Sequence, residues 1–436
     1  MLKPDTTGKR LGPLWIRPGL TRMNALTVVF GSFSSVAMIV FMSLMQPFVL
    51  TEIVHVPASE QGTITGFLHL LQEIVTIALV GLMGAWSDRV GRRIVYSLGF
   101  IILGLGYFVY PLASSTVDLA IFRLVFAVGA AMVPVMLSVT IQDTPQEISR
   151  GKWVGFNNIF QGLGVVLLST VFLKNAPQYF TGLGYDAATA GRLTFWCATG
   201  MCLLFAMVLW SGIERSIKGR SGKTSLLTQA VAGIAEARRN PRLALAFGAA
   251  FIGRGDLVIV GSFLTLWITQ AGIEQGLSTA KAVGQAGMMF GIVQLAAMGS
   301  AFFVGIIADR IDRVTGLCIA LATACIGYTL MGAMAEPFDS SMIPFALLLG
   351  VGEVSVIVAA AALLGQEAGT EKRGAVVGAF NLMGGIGIMS AGMVGGLIFD
   401  GVGRSAPFVA MGLLNGVLLL IGLFVKQRGG SPETEI

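Results

Sequence analysis

One short polar sentence occurs twice in this chain. Gly84-Ala-Trp-Ser-Asp88-Arg89-Val-Gly91-Arg92-Arg93 returns as Gly305-Ile-Ile-Ala-Asp309-Arg310-Ile-Asp312-Arg313, with 221 residues between Asp88 and Asp309. A second pair opens at Arg150-Gly151 and at Arg373-Gly374, with Gly155 answered by Gly378 at the same offset of 223 and Asn157 answered by Asn381 one residue further. Two unrelated motifs at one spacing, about half of the 436 residues, mark an internal duplication of the whole chain. Each copy sits between long apolar runs, so the repeated unit is itself a set of hydrophobic segments.

Those runs decide the solvent. Charged residues are 12% of the chain against about 25% in soluble domains, and mean hydropathy is +0.80. A spanning helix needs about 20 apolar residues. Twelve segments qualify, near 25–51, 62–86, 94–114, 119–142, 153–173, 193–213, 243–270, 285–308, 315–335, 343–366, 374–399 and 406–425. They are too long for barrel strands and lack period-two alternation. The expected fold is therefore an all-α membrane protein, with twelve transmembrane helices in two pseudo-symmetric six-helix bundles. The expected division is 1–213 for the first bundle, 214–242 for a linker and 243–436 for the second.

Orientation follows from the basic residues. With the amino terminus inside, 23 of the 29 Lys and Arg fall on the inner side. Four, Lys174, Arg192, Lys281 and Arg404, fall in outer loops, and Arg123 and Arg254 lie within spans. Both termini are thus expected in the cytoplasm, in the cell membrane. The basic pI of about 9.3 reflects topology and calls for no nucleic-acid partner. No cleavable signal peptide is expected, because the first apolar run is span-length. Cys197, Cys202, Cys318 and Cys325 all fall in spans, without metal-ligand spacing, and read as buried free thiols. In the linker, Leu226, Leu227, Ala230, Val231 and Ile234 recur at helical spacing. Two readings stand: an amphipathic helix on the inner leaflet or a solvated connector.

The repeated sentence, in the loops after spans 2 and 8, resembles motif A of the major facilitator superfamily. The resemblance covers the full chain, and implies a transporter working by alternating access. Gly84, Asp88, Arg89, Gly91 and Arg92 match the motif. Gly305, Asp309 and Arg310 form a weaker second copy, with Asp312 in place of the later glycine. In that family the cluster latches the two halves on the cytoplasmic side, its glycine letting helices approach and its aspartate facing helix-start N–H groups. Arg123 through Gly129 in span 4 resembles motif B, whose arginine is implicated in proton transfer. The other reading of Arg123 is an arginine snorkelling to the interface. The Gly-Pro pair of drug/proton antiporters is missing from span 5, and the motif of sugar porters is missing after span 6.

Charges within the hydrocarbon cost at least a few kcal/mol each and usually mark function. Besides Arg123 they are Glu73, Arg254, Asp256 and Glu353. His69 precedes Glu73 by one turn and shares its helix face. Arg254 and Asp256, two apart, should leave span 7 on opposite sides, and their flanking Gly253 and Gly255 suggest local unwinding there. Spans 4 and 10 are equivalent under the duplication, so Arg123 and Glu353 put opposite charges on matching helices. For each of these residues the alternative is a packing or folding role.

Together these features lead to a secondary transporter of a small solute, with the two cations within spans favouring an anionic or zwitterionic one, and with proton coupling through Glu73, His69, Arg123, Arg254, Asp256 or Glu353. Membrane lipid is its environment, and a monomer is expected. No Walker motif, catalytic triad, metal cluster or cofactor site is apparent. The competing expectations are a proton-driven drug or metabolite efflux pump and, in a different class, a membrane assembly or lipid-binding factor on the same fold.

Overall fold

The computed structural model describes residues 6–214, 226–334, 337, 341–369 and 373–428. Among these, twelve helices are long and apolar enough to cross a membrane. They are span 1 (Arg22–Ile53), span 2 (Gln61–Val90), span 3 (Arg92–Leu112), span 4 (Thr116–Asp143), span 5 (Glu147–Gly182) and span 6 (Ala187–Gly212). The second six are span 7 (Pro241–Glu274), span 8 (Thr279–Ile307), span 9 (Arg313–Gly332), span 10 (Met342–Glu367), span 11 (Gly374–Gly401) and span 12 (Ala406–Arg428). Polar residues at their starts satisfy the first backbone N–H groups. Thr21 and Asn24 form a reciprocal cap on span 1, Ser115 caps span 4 and Asp186 caps span 6. Asn240 caps span 7 directly before Pro241, a residue pre-shaped for a first helical turn.

The chain forms two compact units. The first comprises residues 1–57, 71–222 and 277–287, and the second residues 58–70, 223–276 and 288–436. The first packs around aromatic rings: Tyr107 lies 5.6 Å from Phe41, 5.3 Å from Phe126 and 5.9 Å from Phe195, which joins spans 1, 3, 4 and 6. Serines replace a hydrophobic driving force where helices touch in lipid. Ser35 Oγ and Tyr96 Oη are 2.7 Å apart, and Ser169 Oγ donates to the Ala37 carbonyl at 2.6 Å. In the second unit Trp267 packs on Phe408 and Phe263 on Phe399. Large apolar side chains such as Leu204, Met207, Leu413 and Leu420 stand exposed on helix exteriors, as lipid contact requires.

Several expectations change. Span 7 is not unwound at Gly253–Asp256: it stays α-helical to Val258, and neither glycine has a positive φ. Close contacts explain these glycines instead. A Cβ on Gly253 would come 3.2 Å from Val356 Cγ1, and one on Gly255 3.0 Å from Ala391 Cβ. The helix loosens one turn later, in a π-helical segment at Ile259–Phe263. The described end of the linker helix Leu226–Ala237 packs on the second unit, while Ala232 and Ala235 stay exposed. Ile234 and Ala237 join Leu243, Phe247, Leu364 and Val376 in one core cluster, and a Cβ on Gly233 would overlap the Ala375 carbonyl. The side chains of residues 226–231 lie outside the described set.

Three of the four outer-loop cations fall inside helices. Lys174 is buried, with its ammonium donating to the Gly284 carbonyl, while Arg192 lies in span 6 and Lys281 in span 8. Of the cysteines, all free, Cys197 is exposed and Cys325 half-buried. The segment before span 1 is also folded. Arg10–Leu11 pairs with Leu14–Trp15, and Ile16 bridges Pro145 in the connection between spans 4 and 5.

Candidate functional site

The first motif copy closes a turn within the first unit. Spans 2 and 3 meet at Gly91, whose φ of 101° and ψ of 145° suit only a residue without Cβ. That turn brings Arg92 back over the end of span 2. Its Nη1 pairs with Asp88 Oδ1 at 2.5 Å and donates to Ser87 Oγ, and its Nε reaches Asp143 Oδ2 on span 4 at 3.4 Å. Arg89 is exposed, and a Cβ on Gly84 would meet nothing within 4 Å. The helix approach expected at Gly84 is therefore not made.

The second copy makes the same turn differently. Asp312, in the place of Gly91, is the N-cap of span 9 and accepts from the Thr315 amide at 2.9 Å. Gly305 is likewise unopposed and Arg310 is exposed, while the Asp309 side chain lies outside the described set.

Arg123 does not snorkel. It is 1% exposed, 5.4 Å from the Phe126 ring and 5.9 Å from Tyr110, with Nη1 donating to Gln46 Oε1 at 3.3 Å. Tyr110 donates to the same Gln46 oxygen at 2.6 Å. Asp118, five residues earlier, binds Ser114 instead, and no carboxylate pairs with Arg123 among the described residues. This is a buried cation held by rings and one amide.

The second unit carries the acids. Asp256 is fully buried and Glu353 is 3% exposed, each without an ion-pair partner among the described residues. Their polar neighbours are Tyr328 on span 9 and Asn415 on span 12. Arg254 leaves span 7 on another side, its stem against Gly384 of span 11, as the two-residue spacing requires.

The start of span 2 also belongs to this unit. There His69 Nε2 lies 2.7 Å from Ser262 Oγ, in the π-helical segment of span 7. Gly66 and Gly62 cross Gly392 and Gly396 of span 11 so closely that a Cβ on Gly66 would overlap the Gly392 carbonyl. Asp400 accepts from Gly62 N at 3.0 Å and Thr63 N at 2.6 Å, capping span 2 with a charge suited to its dipole. Glu73, one turn beyond His69 on the same helix, belongs to the first unit and is 7% exposed.

Sequence reading missed Gln46, Tyr328, Asp400 and Asn415. Gln46 and Asn415 are amides in otherwise apolar runs, and the four-residue glycine spacing at 62–66 and 392–396 was a legible packing signal.

Comparison with known proteins places this geometry. The model of the Major Facilitator Superfamily matches residues 27–335 and 280–435. Magnetosome protein MamH of Paramagnetospirillum magneticum is 26% identical over 89% of this chain and 90% of its own length. Magnetosome protein MamZ of Magnetospirillum gryphiswaldense is 27% identical over 88% of this chain, which spans only 59% of that longer relative. Among solved structures, the nucleoside transporter NupG superposes with a TM-score of 0.72 at 12% identity, covering 93% of this chain and all of that one. A D-xylose-proton symporter gives 0.66 at 18% identity, covering 95% and 98%. The match of the family model along nearly the whole sequence, on twelve spans with a duplicated polar motif, makes this chain a membrane transporter that belongs to the major facilitator superfamily.

Proposed function

We propose that this transporter moves a small anionic or zwitterionic solute by alternating access, driven by protons. One observation carries the reading: Asp256 and Glu353 are buried in a span-built core with no cation paired to either among the described residues. A buried ionised carboxylate without a partner costs several kcal/mol, so a carrier retains such groups where they bind something. Only a ligand held differently in two conformations shifts their balance, and a proton on a desolvated acid meets that condition. Arg123, a buried cation with no carboxylate partner among the described residues, supports a negative group on the solute. A fold shared with a D-xylose-proton symporter is compatible with proton drive. The acid cluster is contained in one chain, which supports a monomer, and the Lys/Arg bias supports cytoplasmic termini.

The test begins with a thermal-shift screen of anionic and zwitterionic metabolites on purified protein. Liposome uptake of the stabilising solute follows, with and without an imposed pH gradient. Accumulation that a protonophore abolishes is the expected result. Uptake that only equilibrates under any pH gradient overturns proton drive and leaves a uniporter.

A second reading concerns the membrane. The cell membrane is the assignment from sequence, whereas similarity along the chain to a protein named for the magnetosome supports that compartment's membrane. Fractionation of cells expressing a tagged chain separates the two.

A further inference from the structure

Asp256, Tyr328, Glu353 and Asn415 come from spans 7, 9, 10 and 12 and meet inside the second unit. Asp256, Tyr328 and Asn415 are fully enclosed, and Glu353 nearly so. Among the described residues, both Asp256 oxygens, Glu353 Oε2, Asn415 Oδ1 and the Tyr328 hydroxyl make no hydrogen bond of good geometry, although Asn415 and Tyr328 both lie close enough to Asp256 to interact with it. One of the two Asn415 Nδ2 hydrogens is committed, donating to the Met411 carbonyl at 2.9 Å, which leaves one N–H. With both carboxylates ionised, that N–H and the Tyr328 O–H are the donors facing a larger number of acceptor oxygens. The cluster as built is short of donors and has an excess of negative charge.

One added proton eases both faults, supplying a further donor and removing one of two like charges that buried acids cannot both retain cheaply. A metal cation fits less well. Hard cations take about six oxygens, and the backbones here are in contact: a Cβ on Gly352 would lie 2.6 Å from Ala324 Cα. Among the described residues, the other groups beside the site include no further carboxylic acid. Span 11 presents Gly387 and Ala391 beside Gly255, span 12 presents Met411, and Cys325 of span 9 lies against Gly416. The charged Arg254, two residues along span 7, runs past Gly384 instead, and the linker helix packs at Leu243 and Phe247, over two turns away.

We propose that Asp256 and Glu353 hold one proton between them in a closed site that the Tyr328 hydroxyl and the Asn415 amide complete. This rests on reading the two acids as the coupling groups, and adds what they bind and which neighbours position it. Tyr328 and Asn415 are positioning residues, acting on the proton through the carboxyls.

The test needs no substrate. Infrared spectra of purified protein at neutral pH, wild type minus the Asp256→Asn/Glu353→Gln double variant, should show one protonated carboxyl and one carboxylate. The carboxyl band should be sensitive to D2O exchange. Tyr328→Phe and Asn415→Leu should each move its frequency without abolishing it, which a purely structural role would not do. Two carboxylate signals with no acid band, or two acid bands, overturn the shared proton, as does a carboxylate signal that sodium shifts. Should the double variant not fold, the two positioning variants against wild type give the same decision, since an unmoved acid band in both overturns the proposal. Flux is independent of this result. An acid band with unchanged gradient-driven uptake in Asp256→Asn ends the coupling reading alone, and a missing acid band ends the shared proton whatever the flux.

Discussion

Asp88 Oδ1 and Arg92 Nη1 are 2.5 Å apart, joined across the break at Gly91 that separates spans 2 and 3. The pair is largely buried, and Asp143 and Ser87 hold the same guanidinium from two other directions. Asp88→Asn removes one partner and leaves Arg92 two others. The expected cost is about 1–3 kcal/mol, below that of stranding a buried charge outright. Turnover should fall while the protein still expresses. Asp143→Asn, at a longer contact, should cost less. Equal melting temperatures and flux for wild type and Asp88→Asn would reduce the pair to decoration.

Gly91 and Asp312 occupy equivalent places in the two repeats and make the same turn by different means. Gly91→Ala places a Cβ at φ 101° and should destabilise by about 1–3 kcal/mol. Asp312→Ala loses a helix cap, about 1 kcal/mol. Thermal unfolding of the two variants checks this order; a larger effect at Asp312 would contradict it.

Gly66 and Gly84 lie on one helix with opposite surroundings. Gly66→Ala must push span 2 off the Gly392 carbonyl, whereas Gly84→Ala meets open space and improves helix propensity by up to about 1 kcal/mol. Melting temperature should fall for the first and hold or rise for the second. A comparable loss at Gly84 would restore a close approach at motif A that the structure lacks.

Gly255 and Gly261 separate two accounts of span 7. Gly255→Leu should disrupt the contact with Ala391 and Gly387, while at Gly261 the added Cβ has no atom within 4 Å. Transport and stability should both suffer more at Gly255, here through packing and not through unwinding. The reverse order would point to the π-helical segment as the sensitive element.

These contrasts show what was legible in the sequence and what was not. Span count and duplication could be read because they depend on runs of some twenty residues and on repeated words. The burial of Asp256 and Glu353 followed from their place in such runs. The partners of each charge were hidden, since Asn415 and Tyr328 reach Asp256 from residues more than 70 positions away. Span 7 misled because Gly-x-Gly fits both a broken helix and a close helix crossing, and only the neighbours Val356 and Ala391 decide. The linker helix carries a related ambiguity. An apolar stripe has the same spacing whether it meets lipid or a protein core, and of that stripe only Ile234, which meets the core, has a described side chain.

The coupling claim is tested most directly by comparing Asp256→Asn and Glu353→Gln with wild type in liposomes, once the screened solute is known. Each protein is assayed twice: for exchange of labelled solute at equal pH, and for uptake against a gradient under an imposed pH difference. Proton coupling through these acids predicts that both variants keep exchange within a few-fold of wild type and lose concentrative uptake. Variants that still concentrate the solute under the pH difference would contradict it.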